Sequence, residues 1–465
     1  MEVRREAGLK RTGRGEQNCP PFAKNVERAC VKSPIPMTYE EAQAYIASLA
    51  PRGWRLGLDR MQAFVGKIGL EDSLGAAGGP QFIHVAGTNG KGSVTAYLQS
   101  ILVEAGYKTG AFFSPFVYDP RERVQFGREL ISKEDLAKLT EELIPIAESF
   151  SDTEFGGITE FEFKTALGFL YWKRKQCEFV ALEVGLGGRL DATNVVTPKA
   201  SIIVSIGLDH TNILGNTLEE IAFEKAGVIK PGIPAVVGEM PQPAMQIIEK
   251  VAEENSAMIW RYGREVTYHP TGEVRTPVTT YAELRPGIAG SMQGHNLALA
   301  IAALDAAKVS VTEKAVSNGA LLAYAPGRFE RVEFTGTKFL LDGAHNPDAA
   351  DVLVNGLKAI LKPGQKVVLL TGMVAGHEPS HFYKEVAPLV RSAHIVPIDF
   401  HRALSPDLIG EALKPLVPAT TVHHDLAEGL AAAIMDAQFD EIIVVTGSFY
   451  LVGEVGRMIG VNSPG

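Results

Sequence analysis

The stretch His84-Val85-Ala86-Gly87-Thr88-Asn89-Gly90-Lys91-Gly92-Ser93-Val94 ends an apolar run and opens a helical pattern. Its glycines let the backbone curl until several N–H groups face one anion. The helix that follows turns its positive end toward the same point. Lys91 is placed to reach terminal phosphates, and Ser93 to approach a magnesium ion. Gly92 stands between the lysine and the hydroxyl, so the pattern G-x-x-x-x-G-K-[ST] is not met, and kinases and GTPases of the commonest type are disfavoured. A glycine-rich turn that binds nothing is the plainer alternative.

Outward from this loop, apolar runs recur, each followed by a turn and a helical pattern. Phe82–Ala86, Thr109–Phe113, Phe179–Val184 and Ser201–Ile206 read as buried strands. Strands alternating with helices predict a parallel sheet with helices on both faces. A second series holds Phe339–Asp342, Val367–Thr371, His394–Ile398 and Glu441–Thr446. Between them, Ala325-Pro326-Gly327-Arg328 has the composition of an interdomain linker. The expected chain is α/β throughout: a large domain over residues 37–326 and a smaller one over 327–465.

Composition narrows the function classes. The 465 residues are 46% apolar and 21% charged, which excludes disordered, collagen-like and fibrous classes. A net charge of −9 disfavours broad nucleic-acid binding. No apolar run reaches the roughly 18 residues of a membrane span. The cysteines, Cys19, Cys30 and Cys177, are odd in number and lack C-x-x-C spacing, so neither a disulfide framework nor a zinc site is expected. A cytoplasmic monomer without nucleic-acid or membrane partners is the expectation.

Residues 1–36 carry eight Lys and Arg against four Glu and little apolar periodicity. This basic arm reads either as a targeting segment or as a disordered extension before Met37; its composition favours the extension. Thr38 and Glu41 then fit a capping box that starts a helix.

A second constellation lies at the ends of the predicted strands. Ser114 follows one, Glu183 ends another and opens Gly185-Leu186-Gly187-Gly188-Arg189, and Asp209-His210 follows a third. In a parallel sheet these C-terminal ends share one rim with the phosphate loop, where ligands bind. Lys91, Ser114, Glu183 and His210 are therefore candidates for one ATP–magnesium site. The oxygen ligands suit magnesium, and His210 also admits manganese. Thr217 and Glu220 form a capping box for a helix running to about Ala226, with Gly227 at the position that favours a left-handed residue. Lys225 on the last turn is explained by the helix dipole alone.

These motifs resemble the folate branch of the Mur ligase superfamily, the folylpolyglutamate synthases and bifunctional dihydrofolate synthase/folylpolyglutamate synthases. The resemblance runs from Met37 to the C-terminus. It is carried by residues 84–93, E-V-G-L-G-G-R-L-D-A-T-N at 183–194, D-H-T-N-I-L-G-N-T at 209–217 and E-K-A-G-V-I-K at 224–230. G-R-F-E at 327–330, L-D-G-A-H-N-P at 341–347 and T-G-S at 446–448 complete the set. It implies a large P-loop-containing Mur-ligase-type ATP-binding domain and a smaller Rossmann-like C-terminal glutamate-ligase domain. It also implies an ATP-dependent ligation of L-glutamate to a pteroate or folate carboxylate. By the same resemblance Gly87, Thr88, Asn89, Gly90, Lys91, Gly92 and Ser93 cradle phosphates. Ser114, Glu183 and His210 hold one or two magnesium ions, and Lys225 is a carbamylated lysine that adds an anionic ligand. Gln293 and Asn296 lie on the nucleotide side, and Arg328, Asp342 and His345 reach ATP from the C-terminal domain. Lys91, His210 and Lys225 are the expected catalytic residues.

Three stretches depart from the family pattern. S-P-H-L is Ser114-Pro115-Phe116-Val117 here, which is expected to alter pterin or folate contacts. G-x-H-Q-x-x-N is Gly290-Ser291-Met292-Gln293-Gly294-His295-Asn296, which bears on the adenine environment. An acidic-lysine-acidic stretch is replaced near Gly376-His377-Glu378. Two rivals are weighed. Another Mur-type ligase is disfavoured by the 183–194 run and by the lack of a UDP-binding domain before the phosphate loop. A non-catalytic nucleotide-binding regulator is disfavoured by Glu183, His210 and Lys225 together. A chain that begins at Met37 is expected to keep its melting temperature and ligase activity; a large loss of either assigns the arm a structural role.

Overall fold

The computed structural model of the chain describes residues 36–461 apart from 54, 76, 77 and 377. The basic arm before Pro36, Cys19, Cys30 and His377 lie outside the described residues. The described residues from Met37 onward form one compact unit. Its first sheet has eight strands, in the order Glu129–Leu130, Val124–Phe126, Thr109–Phe112, Phe179–Glu183, Gln81–Ala86, Ala200–Ile203, Ala235–Val237 and Ile259–Arg261. The six strands from Thr109–Phe112 onward are parallel, and the two at the near edge are antiparallel. The second sheet has six strands: Glu330–Phe334, Thr337–Leu341, Ile442–Thr446, Val367–Thr371, Val390–Ile395 and Thr420–Val422, all parallel except the first. A small antiparallel sheet of Thr267–His269, Glu273–Arg275 and Thr280–Tyr281 was not expected from the sequence.

Both large sheets are covered on two faces, which is why their strands read as continuous apolar runs. On one face of the first, Ile83, Val85, Ala181 and Ile202 pack against Tyr97, Leu98, Ile101 and Leu297. On the other, Phe82, Phe112, Val180 and Leu182 pack against Phe163, Phe169 and Trp172. The second sheet repeats the plan with Leu340, Leu369 and Val444 on one side and Leu341, Leu370 and Val445 on the other.

Most strand bounds differ from the sequence reading by a residue or two, and two runs differ by more. The run at Ser201 is a strand only to Ile203, because Ser205 turns away to hydrogen-bond the phosphate loop. The run read as His394–Ile398 is the strand Val390–Ile395, which begins earlier because Arg391 pairs with Glu441 and the Ser392 hydroxyl donates to Asp436. The boxes at Thr38 and Thr217 are formed, and they start the helices Tyr39–Ser48 and Leu218–Ala226.

Gly227 is a correction. Its φ of −61° is right-handed, so no left-handed cap requires glycine there. The requirement is close approach instead: a Cβ would lie 2.3 Å from the Arg189 Cβ. At the same contact a Cβ on Gly188 would lie 3.0 Å from the carbonyl oxygens of Glu224 and Lys225, and the Arg189 N–H donates to the Glu224 carbonyl at 2.7 Å. The glycine-rich run after Glu183 thus lies directly on the helix end that carries Lys225. G227A is expected to push these backbones apart, lowering stability by about 1–3 kcal/mol in calorimetry and lowering turnover through Lys225.

Candidate active site

The loop between the strand Gln81–Ala86 and the helix Lys91–Glu104 is held from one side by the segment after Ala200–Ile203. Thr88 N–H donates to the Ser205 carbonyl, and Asn89 N–H to the Ser205 hydroxyl, both at 2.9 Å. The Thr88 hydroxyl accepts the Gly207 N–H at 3.0 Å. Those bonds commit the first part of the loop to the scaffold. The N–H groups left for an anion are those of the first helical turn, which lack intrahelical partners, around Lys91, Gly92 and Ser93.

Two lysines converge on the loop. Lys91 Nζ donates to the carbonyls of Gly87 at 3.0 Å and Thr88 at 3.1 Å. Lys225 Nζ, carried over from 138 residues away, donates to the same Gly87 carbonyl at 3.0 Å. Lys225 is buried. Its ammonium is brought down to about 7 by loss of hydration first and by repulsion from Lys91 second. Burial also lowers Lys91, against the pull of Glu183 and Asp209.

Glu183 lies opposite. It is buried, and desolvation pushes its carboxyl up while Lys91 and Arg328 pull it down. Its Oε2 accepts the Ser114 N–H at 2.9 Å, beside the cis peptide of Ser114-Pro115, and Arg123 donates to the Ser114 hydroxyl at 3.1 Å. Gly92 sits in the gap: a Cβ there would be 3.1 Å from Arg328 Nη2 and 3.6 Å from Glu183 Oε2. The glycine that breaks the common phosphate-loop pattern therefore makes room for an arginine from the other half of the chain.

His210 caps the short helix Thr211–Leu214 from the left-handed region, with φ of 50°. Its electrostatic neighbours are Asp209, His345, Lys225 and Lys91, and burial brings its imidazole down to about 4, so it is neutral at pH 7. The C-terminal half supplies the rest. Arg328 lies over the Phe449 ring at 4.1 Å. Asp342 accepts the N–H groups of Phe329 at 2.8 Å and Ala344 at 2.9 Å, fixing the turns that present Arg328 and His345. His345 Nδ1 meets the Gly343 carbonyl at 2.6 Å. Gln293 reaches the Ser93 hydroxyl at 3.4 Å and accepts from Asn296 at 3.2 Å. Met292 caps the helix Gln293–Ala306, partly exposed, and His295 stacks on Tyr262.

The structure thus brings Lys91, Ser114, Glu183, His210, Lys225, Arg328 and His345 to one rim, with Gln293 and Asn296 beside Ser93. Sequence reasoning missed Arg123, Asp191 and Asn346. Asp191 accepts the N–H groups of Leu186 at 2.8 Å and Thr193 at 3.0 Å, holding the run 183–194 in shape. Its place in that run was the only signal. Asn346 precedes Pro347 and caps the helix Pro347–Ile360, a role that Asn-Pro spacing can suggest.

A phosphate loop, a buried carboxylate and a buried lysine, faced by arginine and histidine from a second α/β layer, define an ATP-dependent ligase of the Mur type. A family model described as "Mur ligase, glutamate ligase domain" matches residues 327–449. The chain is 33% identical to the dihydrofolate synthase/folylpolyglutamate synthase of Bacillus subtilis, over 90% of this chain and 99% of that one. It superposes on Escherichia coli FolC in complex with DHPP and ADP with a TM-score of 0.81 at 32% identity, covering 91% of this chain and 97% of that one. The Yersinia pestis bifunctional folylpolyglutamate synthase/dihydrofolate synthase, complexed with AMPPNP and Mn ion, gives 0.80 at 30% identity over 91% and 98%. The chain belongs to the dihydrofolate synthase/folylpolyglutamate synthase family. Among the described residues, no helix is long and apolar enough to cross a membrane.

The Lys225 amine has a depressed folded value near 7 against an ordinary value of 10.5. The unfolded chain then binds the extra proton, so stability rises with pH between those values and the burial cost is complete below pH 7. K225M is expected to raise the melting temperature of the nucleotide-free protein at pH 7, with the gain shrinking by pH 10 in calorimetry.

Proposed function

We propose that the rim built on Gly87 activates a pteroate or folate carboxylate with ATP and joins it to L-glutamate, releasing ADP and phosphate. The observation that carries this reading is the convergence of Lys91 and Lys225 on one phosphate-loop carbonyl, facing Glu183 and Arg328. In this reading residues 37–326 bind ATP and the pterin substrate and residues 327–465 bring glutamate. The family match that begins at residue 327 supports that boundary.

A carboxylate does not react with an amine at neutral pH, because oxide is a poor leaving group. The carboxylate oxygen attacks the γ-phosphorus, the bond to the β-phosphate oxygen breaks, and an acyl phosphate and ADP form. The glutamate amine then attacks the acyl carbon, loses a proton, and phosphate leaves. Lys91, Arg328 and the first-turn N–H groups hold charge on the transferred phosphoryl group, which is the larger part of catalysis in phosphoryl transfer. His210, neutral at pH 7, can accept a proton or a metal. His345 lies near it on the side from which the C-terminal half approaches.

Divalent metal fits the donors present. Glu183 is a buried carboxylate with one oxygen already oriented by Ser114 N–H. Among the described residues no group of three acidic, histidine or cysteine side chains forms a cage. Such a site suits magnesium or manganese, which take the remaining ligands from phosphates and water. Ser114, Glu183 and His210 would hold the ion, and it would neutralise phosphate charge when bound. Carbamylation of Lys225 fits the same site. An amine lowered to about 7 is about half uncharged at pH 7 and so able to react with carbon dioxide, and a carbamate places an anion next to Lys91.

The deciding assay is ADP release dependent on both glutamate and dihydropteroate or a reduced folate; release that ignores both substrates overturns the reading. K91A is expected to lower turnover by orders of magnitude with the fold retained. K225R is expected to abolish activity, because arginine forms no carbamate; an active K225R enzyme overturns the carbamate.

A further inference from the structure

Asn89 stands in the phosphate loop, yet its side-chain amide pairs with a residue of the chain's second half. Its Nδ2 donates to Asn346 Oδ1 at 3.1 Å, and its Oδ1 accepts from Asn346 Nδ2 at 3.1 Å. This is a reciprocal amide pair between residues 257 apart, joining the loop to the helix Pro347–Ile360 of the second sheet's half. Asn346 is buried, and its amide has no capacity to spare. Its Oδ1 also accepts the Ala349 N–H at 2.9 Å, and its second Nδ2 hydrogen points to Asp209 Oδ2 at 3.4 Å. An amide offers two donors and two acceptor sites, and all four are in use. The cap fixes the orientation: Ala349 N–H must meet an oxygen, so the nitrogen faces Asp209 and Asn89. A saturated amide has nothing to offer a ligand, and what it does is set one backbone against another.

We propose that the Asn89–Asn346 pair is the clasp that registers the C-terminal half on the phosphate loop, and that Asn346 is a positioning residue for ligation. His345 immediately precedes Asn346, and Asp209, the third partner, immediately precedes His210. One side chain therefore ties together the neighbours of both site histidines and the loop that bears Lys91. The Asn89 backbone is itself fixed, its N–H donating to Ser205 Oγ at 2.9 Å and its carbonyl accepting from that hydroxyl at 3.0 Å. Strain or slack at the clasp thus passes to the C-terminal half, while the loop stays in place. With the clasp released, the acyl phosphate would meet water before the glutamate amine, because an unclosed site no longer excludes solvent.

The inference rests on the proposed ligation, and the test separates the two. N346D keeps the cap, since a carboxylate still accepts the Ala349 N–H. It breaks the clasp by setting an anion against Asn89 Oδ1 and Asp209. N346S likewise keeps a capping oxygen but is too short to reach Asn89. In the full chain, with ATP, glutamate and a pteroate substrate, N346S should melt within a few degrees of wild type and N346D lower, because its carboxylate is buried against Asp209. Each should keep KM for ATP within about threefold, lose about tenfold in amide formation, and release several ADP per amide bond. N89A should show the same uncoupling, and N89A/N346D should be no worse than the poorer single variant, because one contact is removed only once. An ADP-to-amide ratio near that of wild type in N346D and N89A overturns the clasp. Hydrogen exchange with ADP alone needs no ligation. N89A should expose the first turn of Pro347–Ile360 to faster exchange by about tenfold, and unchanged exchange there also overturns the clasp. A wild-type chain that makes no amide overturns the ligation and leaves the exchange result to decide the clasp.

Discussion

Two lysine amines share one carbonyl oxygen, and most of the site can be read as a consequence. Lys91 and Lys225 both reach Gly87, burial lowers both, and Lys91 raises the cost of charging Lys225. A buried cluster of like charge persists only if the surrounding fold over-determines it, and it calls for a partner of opposite sign. Glu183 supplies part of that charge, but it also faces Arg328 and Arg123. The arrangement is preorganised for a polyanion: the charges are already desolvated and aimed, so the ligand need not reorganise them.

That convergence depends on backbones that touch. Gly188 and Gly227 let the run after Glu183 lie on the helix end that carries Lys225, and Gly92 leaves the gap into which Arg328 reaches. Glycine here serves proximity more than conformational freedom. At Gly227 the sequence pattern suggested a left-handed cap, while the structure uses a right-handed residue whose missing Cβ is the point.

The fold was legible because it repeats. Buried parallel strands are apolar along their length, so Phe82–Ala86, Val367–Thr371 and their neighbours stood out, and the turn after each marked the ligand-bearing rim. Strand ends were less legible where polar side chains are neutralised from afar, as Arg391 is by Asp436 and Glu441. Within the site, Lys91 was readable from its loop alone. Lys225 was not: a lysine on a last helical turn satisfies the dipole, and only resemblance pointed to anything more. Asn346 was not singled out: Asn-Pro spacing can suggest a cap, but its second partner lies 257 residues away. Local chemistry shows what a side chain can do, and the fold decides which of its valences are left to do it.

The segment 325–328 has a consequence for how such a chain can be taken apart. Ala325 is buried, Gly327 takes a φ of 62°, and Arg328 ends beside Gly92 and Glu183. What looks in composition like a tether is therefore part of the machinery. The two halves have a visible seam but no spare length across it. Grafting a C-terminal half from a relative would carry Arg328, Asp342, His345 and Asn346 across as one cassette. A cut placed a few residues later would divide that cassette and separate Arg328 from the turn that Asp342 holds. The modular look of the sequence and the indivisibility of the site meet at this one short stretch.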